Sequence, residues 1–109
     1  MEKKIAPPLS HIGITEETAR RNNLDVRVNR IAVASIPRMR TIGETDGLLK
    51  AVIDARTNRI LGCTLFCPES SEVINTVAVA MKSGRTAAFL RDFVFTHPSV
   101  SEALNDLFV

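Results

Sequence analysis

Four side chains in this sequence suit metal ligation or thiol chemistry: His11, Cys63, Cys67 and His97. Their spacing argues against a metal centre. The chain has no repeated Cys-x-x-Cys and no His-x-x-x-His, the patterns that bring soft ligands onto one ion. Cys63 and Cys67 lie four residues apart in a segment with strand character. At ~3.3 Å per residue their Cα atoms stand about 13 Å apart, whereas a disulfide needs roughly 7 Å or less. The two thiols point the same way without reaching each other, and both are expected to pack as small buried hydrophobes. His11 is expected at the surface, on a strand edge. Around His97 the sequence reads Phe95-Thr96-His97-Pro98-Ser99-Val100-Ser101-Glu102. Its last four residues fit a capping box, with Glu102 reaching back to a backbone N–H where the final helix starts.

The glycines are Gly13, Gly43, Gly47, Gly62 and Gly84. No three have the G-x-G-x-x-G spacing that lets a backbone approach a pyrophosphate, and no phosphate-binding Gly-x-x-x-x-Gly-Lys occurs. The chain therefore offers no way of its own to bind a nucleotide cofactor. A net charge of +2 is too small for a nucleic-acid partner. The tight basic pairs, Arg20-Arg21 and Arg38/Arg40, are read as solvated surface or local ion pairs. No apolar run is long enough to span a membrane. Lys3 and Lys4 have no apolar h-region behind them, so no signal peptide is expected. Two cysteines make no disulfide framework, and a reducing cytoplasmic setting is expected.

The elements that must position these groups follow from periodicity. Residues 9–14 read as a strand ending at Thr15, an N-cap for a short helix from Glu16 to Arg21 with its acidic residues in the first turn. Asp25 to Ala34 reads as a strand with Val26 and Val28 on one face. The apolar phase then jumps to Ile31 and Val33, which suggests a bulge or twist near Asn29-Arg30. Leu48–Asp54 and Ile60–Phe66 form a hairpin around the polar connection Ala55 to Arg59. After Pro68, the residues Val73, Ile74, Val77, Ala78 and Met81 mark one face of an amphipathic helix. That helix closes with Lys82 and Gly84. A helical piece from Thr86 to Arg91 precedes a last helix bearing Ala103, Leu104, Leu107 and Phe108. Strands followed by helices predict one α+β domain over residues 1–109, an antiparallel sheet covered by helices on one face.

The stretch Phe95-Thr96-His97-Pro98-Ser99-Val100-Ser101-Glu102-Ala103-Leu104 resembles the closing signature of the pyridine nucleotide-disulfide oxidoreductases, the family of glutathione reductase, dihydrolipoamide dehydrogenase and mercuric reductase. Ser99 stands where that His-Pro run carries threonine. Ile12-Gly13-Ile14-Thr15-Glu16, Gly43-Glu44-Thr45-Asp46-Gly47 with Lys50, Arg59-Ile60-Leu61-Gly62 and Glu72-Val73-Ile74 resemble other parts of the same dimerisation domain. Their order and spacing extend the likeness over roughly residues 9–108. The wording Leu61-Gly62-Cys63-Thr64-Leu65-Phe66-Cys67, with Ser70-Ser71-Glu72, is similar to a bacterial branch linked to reactive-chlorine and metal stress.

The resemblance implies a part of a larger enzyme, inactive alone, whose FAD- and NAD(P)-binding domains lie outside these residues. It implies a homodimer, in which His97 serves as acid/base at the partner subunit's dithiol beside the flavin, with Glu102 orienting it. Such a role is chemically sound. A thiolate attacks a disulfide, and an imidazole of pKa near 6.5 takes and returns its proton. A carboxylate on the other ring nitrogen fixes the tautomer. Glu102 cannot be assigned between capping and orienting from sequence. The helix face of Val73, Val77 and Met81, with Leu104, Leu107 and Phe108, is the expected contact surface of the dimer. Two rival readings stand beside this one: a stand-alone interaction or ligand-binding domain without redox role, and a thiol enzyme using Cys63 or Cys67.

Overall fold

The structure, a computed structural model, describes residues 8–36, 47–95 and 100–109. Arg38 and Arg40, most of the Gly43 to Gly47 turn, and the run Thr96-His97-Pro98-Ser99 lie outside them.

Strands β1 (Leu9–Gly13), β2 (Val26–Ala32), β3 (Leu48–Asp54) and β4 (Ile60–Phe66) form one antiparallel sheet in the order β1-β4-β3-β2. Helix α1 (Glu16–Arg21) joins β1 to β2, and α2 (Ser70–Lys82), α3 (Ala87–Asp92) and α4 (Ala103–Leu107) follow the sheet. The α+β expectation holds. Leu49, Ala51 and Ile53 of β3 and Cys63 and Leu65 of β4 point to one face. There they pack against Val73, Val77 and Ala80 of α2, Leu90 of α3, and Leu104, Leu107 and Phe108 beyond them. The opposite face carries Lys50, Thr64 and Phe66, and α1 stands against it at one end. Glu16 accepts there from Lys50 Nζ (3.1 Å) and from Arg30 Nη2 (2.6 Å). Those two cations sit beside each other in the β2–β3 register.

Local signals explain the element ends. The Thr15 hydroxyl accepts from the Thr18 N–H at 3.1 Å, the expected N-cap of α1. At the end of α2, Gly84 takes φ +71°, its N–H donates to the Met81 carbonyl, and the Arg85 N–H donates to that of Ala80. This pair of return bonds is a Schellman motif, and the left-handed position explains the glycine. The β3–β4 turn is set by Asp54, whose carboxylate accepts from the N–H groups of Arg56 and Thr57 (both 2.9 Å). Those two donors hold its carboxyl below the usual range.

Of the bulge or twist expected near Asn29-Arg30, no bulge interrupts β2. β2 pairs with β3 without interruption from Val26 opposite Asp54 to Ala32 opposite Leu48. The irregularity lies in the β3–β4 pairing, where Val52 faces Gly62 but Ile53 faces Ile60, so Leu61 is the extra residue. The carbonyl of Leu61 accepts the Ile14 N–H at 3.0 Å. The apparent phase jump in β2 has another cause. Arg27 and Asn29 occupy core-side positions, opposite Ile53 and Ala51; Asn29 Nδ2 and one guanidinium nitrogen of Arg27 donate to carbonyls at the C-terminal end of α4, and a second Arg27 nitrogen donates to the Asn58 side chain. The alternation never breaks; two of its inward positions are polar.

Candidate functional site

The segment with the chemistry of interest joins α3 to α4. His97 itself lies outside the described residues, as does Ser99, the other half of the expected capping box. Glu102 is described. It closes a 3-10 turn, Val100–Glu102, that runs directly into α4, and it is half-buried. Val100, Ala103, Leu104, Leu107 and Phe108 around it are all buried, so this turn is fixed to the core.

On the other side of the segment, α3 is anchored by Ala87 and Leu90 in the core. Its start is tied to the hairpin turn: the Ala87 N–H donates to the Asn58 carbonyl at 2.8 Å. Along its outer side run Phe89, Phe93 and Phe95, with ring centroids 5.7 Å and 4.8 Å apart in sequence. The Arg85 guanidinium lies 5.1 Å from the Phe89 ring centre. Phe89 and Phe93 are well exposed and Val94 is 90% exposed, an apolar surface next to the His97 segment.

The residues expected to make the dimer surface are elsewhere. Val73, Val77, Leu104, Leu107 and Phe108 are buried within the chain's own core, and Met81 is partly buried against it. The helical periodicity located an apolar face, and that face is used up against the sheet. The large apolar side chains left to a partner fall mainly in two groups: Phe89, Phe93 and Val94 by α3, and Leu9 and Leu48 on the outer sheet face. The second group, with Phe66, Lys50 and Thr64, lines a shallow cavity of about 380 Å³. No single-strand signal in the sequence separates these exposed residues from core ones.

The cysteines are free and buried in the core face of β4 and its extension. Burial pushes the Cys63 thiol up to about 12 and the Cys67 thiol up to about 11, with Glu69 adding to the latter. Such thiols hold almost no thiolate near neutral pH, which counts against the thiol-enzyme reading. His11 is exposed in edge strand β1, as expected. Its Nε2 donates to the Gly13 carbonyl (2.8 Å) and its Nδ1 shares a hydrogen bond with the Thr64 hydroxyl (2.7 Å). Among the described residues no three His, Cys, Asp or Glu side chains group as a metal site. No helix among them is long and apolar enough to cross a membrane. The wholly antiparallel sheet also has no crevice at the carboxyl ends of parallel strands, where dinucleotides bind. Among the described residues the sheet thus forms no such crevice for a flavin or a nicotinamide nucleotide.

Residues 5–108 match the family model described as pyridine nucleotide-disulphide oxidoreductase, dimerisation domain. The chain belongs to this family. It is 50% identical over 104 residues to the probable pyridine nucleotide-disulfide oxidoreductase RclA of Escherichia coli, covering 95% of this chain and 24% of that protein. It is 30% identical to the mitochondrial dihydrolipoyl dehydrogenase of Schizosaccharomyces pombe, over 92% of this chain and 20% of the relative. The solved structure of the HOCl-induced flavoprotein disulfide reductase RclA from E. coli superposes with a TM-score of 0.90 at 51% identity. That match spans 94% of this chain and 23% of the other. The likeness to a reactive-chlorine branch read from the β4 wording agrees with these relatives. The chain thus spans about a quarter or less of their length.

Proposed function

We propose that this chain is one dimerisation domain of an FAD-dependent, NAD(P)H-using disulfide reductase, acting within a homodimer in the cytoplasm. The observation that carries this reading is the family match over residues 5–108, which takes in the whole His97 to Glu102 run. The flavin, the nicotinamide nucleotide and the redox dithiol belong to parts of the enzyme beyond these residues.

In this reading His97 is the acid/base for thiol–disulfide exchange on the partner subunit's dithiol. The imidazole takes the proton of the attacking thiol, the thiolate displaces one sulfur of the acceptor disulfide, and the imidazolium protonates the departing thiolate. Glu102 orients the ring and supports its charge. The half-buried position of Glu102 on a turn fixed to the core supports a positioning task. Cys63 and Cys67 take no part.

The test is His97→Ala in the complete flavoprotein, with the two half-reactions followed by rapid mixing. Reduction of the enzyme by the nicotinamide nucleotide should proceed as in the parent. Turnover with a disulfide acceptor should fall by ~10²–10⁴-fold, the usual cost of losing a general acid/base. Unchanged acceptor turnover, or a block in the first half-reaction, would overturn the assignment.

A further inference from the structure

The outer face of the sheet is covered at one end only. At the α1 end Val52 and Ala19 are buried, at 2% and 0% exposure. At the other end Leu9, Phe66 and Leu48 stand opposite one another across three strands and form one apolar row. Leu9 is 66% exposed and Leu48 38%. With Lys50 and Thr64 the row lines the shallow cavity described above. A contiguous apolar patch rimmed by polar side chains marks a contact surface.

Two features decide what covers it. Beside the row, Lys50, Arg30 and Arg20 all pair with Glu16, three cations against one carboxylate, so this face carries an excess of positive charge. A two-fold contact sets a patch against its own copy, which here would set those cations against each other. The row also begins where the chain enters the sheet. The Pro8 carbonyl accepts from the Cys67 N–H (3.2 Å) and from the Ser70 hydroxyl (3.1 Å), so the polypeptide ahead of β1 leaves from a fixed point beside Leu9. A unit on that tether meets the row intramolecularly, at high effective concentration. The chain spans 24% of its relative RclA, which leaves ample sequence for such a unit. We infer that the row of Leu9, Phe66 and Leu48 is the docking surface for the part of the same polypeptide that precedes β1. That part is the flavin- and nicotinamide-bearing portion of the function proposed above, and the inference rests on that reading.

The test is thiol labelling in the complete flavoprotein. Leu9→Cys and Leu48→Cys are made singly, and the rate at which a maleimide labels each new thiol is followed by peptide mass spectrometry. The reference is the same variant unfolded in urea. Both positions are exposed in this domain, so neither substitution disturbs the core, and each variant checks the other. Native labelling should be at least ~10-fold slower than in urea at both positions, because a thiol reacts only as far as it is accessible. The protection should persist in the monomer reached by dilution. Labelling within about tenfold of the unfolded rate at either position overturns the inference. So does protection that disappears as the dimer dissociates, which would assign the row to a second copy. The reading beneath it is checked separately, by flavin content and by the half-reactions of His97→Ala. If the complete polypeptide bound no flavin, that reading would fall and the inference with it.

Discussion

Asn29 Nδ2 donates to the carbonyl of Leu107 at 2.8 Å, and to that of Val109 at 3.1 Å, so a β2 residue caps the last helix. Arg27, two positions earlier on the same face, donates to Val109 and to the Asn58 side chain. The edge of the sheet and the C-terminal end of α4 are thus joined by polar contacts where apolar ones would be the default. Asn29→Val would restore a textual alternation of apolar residues and yet should destabilise the domain. It leaves the Leu107 carbonyl, part-buried, without its donor, at a cost of about 1–3 kcal/mol. Urea unfolding should show a lower midpoint with an unchanged slope.

How far the sequence alone was readable depends on whether neighbours or distant partners decide each feature. The Thr15 cap, the Lys82-Gly84 helix end and the β3–β4 hairpin are set within a few residues, and they stand where periodicity and turn chemistry put them. β2 reads as carrying a bulge or twist where its pairing is in fact unbroken, because polar core-side residues such as Arg27 and Asn29 look like a phase slip until distant partners, such as Leu107 for Asn29, are known. The amphipathic face of α2 was legible, but its partner was not. Periodicity cannot tell a face that meets the chain's own sheet from one that meets a second subunit. The run from His97 to Glu102 was legible as a motif, whereas the hydrogen bonds from Asn105 Nδ2 to the carbonyls of Leu90, Arg91 and Phe93 have no local signature, since they depend on where α3 stops.

The buried thiols predict an alkaline limit to stability. Both folded values, about 12 for Cys63 and about 11 for Cys67, lie above the ordinary thiol value of 9.0. The unfolded chain therefore loses these protons first as pH rises. Their stabilising contribution is complete below pH 9 and is lost between there and the folded values, at about 1.4 kcal/mol per pH unit for each thiol. Thermal melts from pH 8 to 11 should show a falling Tm, with a shallower fall in Cys63→Ala. A Tm slope identical in the parent and the variant would contradict this.

Two glycines should respond differently to the same change. A Cβ on Gly62 would lie 1.9 Å from the carbonyl oxygen of Ile14, because β1 crosses β4 there at the bulge. Backbone must move to admit it, so Gly62→Ala should cost at least about 2–3 kcal/mol. Gly84 has open space around its Cβ position and only its φ of +71° to object. Gly84→Ala should cost roughly 1–2 kcal/mol, the strain of a left-handed residue. Chemical denaturation of the two variants side by side checks the order.

The domain produced alone should be colourless, because its antiparallel sheet and its glycine spacing provide no nucleotide crevice. Flavin absorbance purifying with it in stoichiometric amount would contradict that expectation.

Association with a second copy should depend on the exposed aromatics of α3 rather than on the face of α2. Val73, Val77 and Leu104 are at most 3% exposed, so they have no surface to give, whereas Phe89 and Phe93 are 39% and 46% exposed. They also flank the segment that carries His97, which in the proposed homodimer faces the partner. Aromatic side chains in the middle of an interface commonly account for 2 kcal/mol or more each. Phe89→Ser with Phe93→Ser should therefore weaken self-association by roughly tenfold or more, read by sedimentation velocity over a concentration series. The fold should survive, since both rings are substantially solvated in the single chain, and circular dichroism would confirm it. Leu48→Ser, on the outer sheet face, serves as the comparison. If it weakened association more than the Phe89 and Phe93 pair did, the partner surface would lie on the sheet instead.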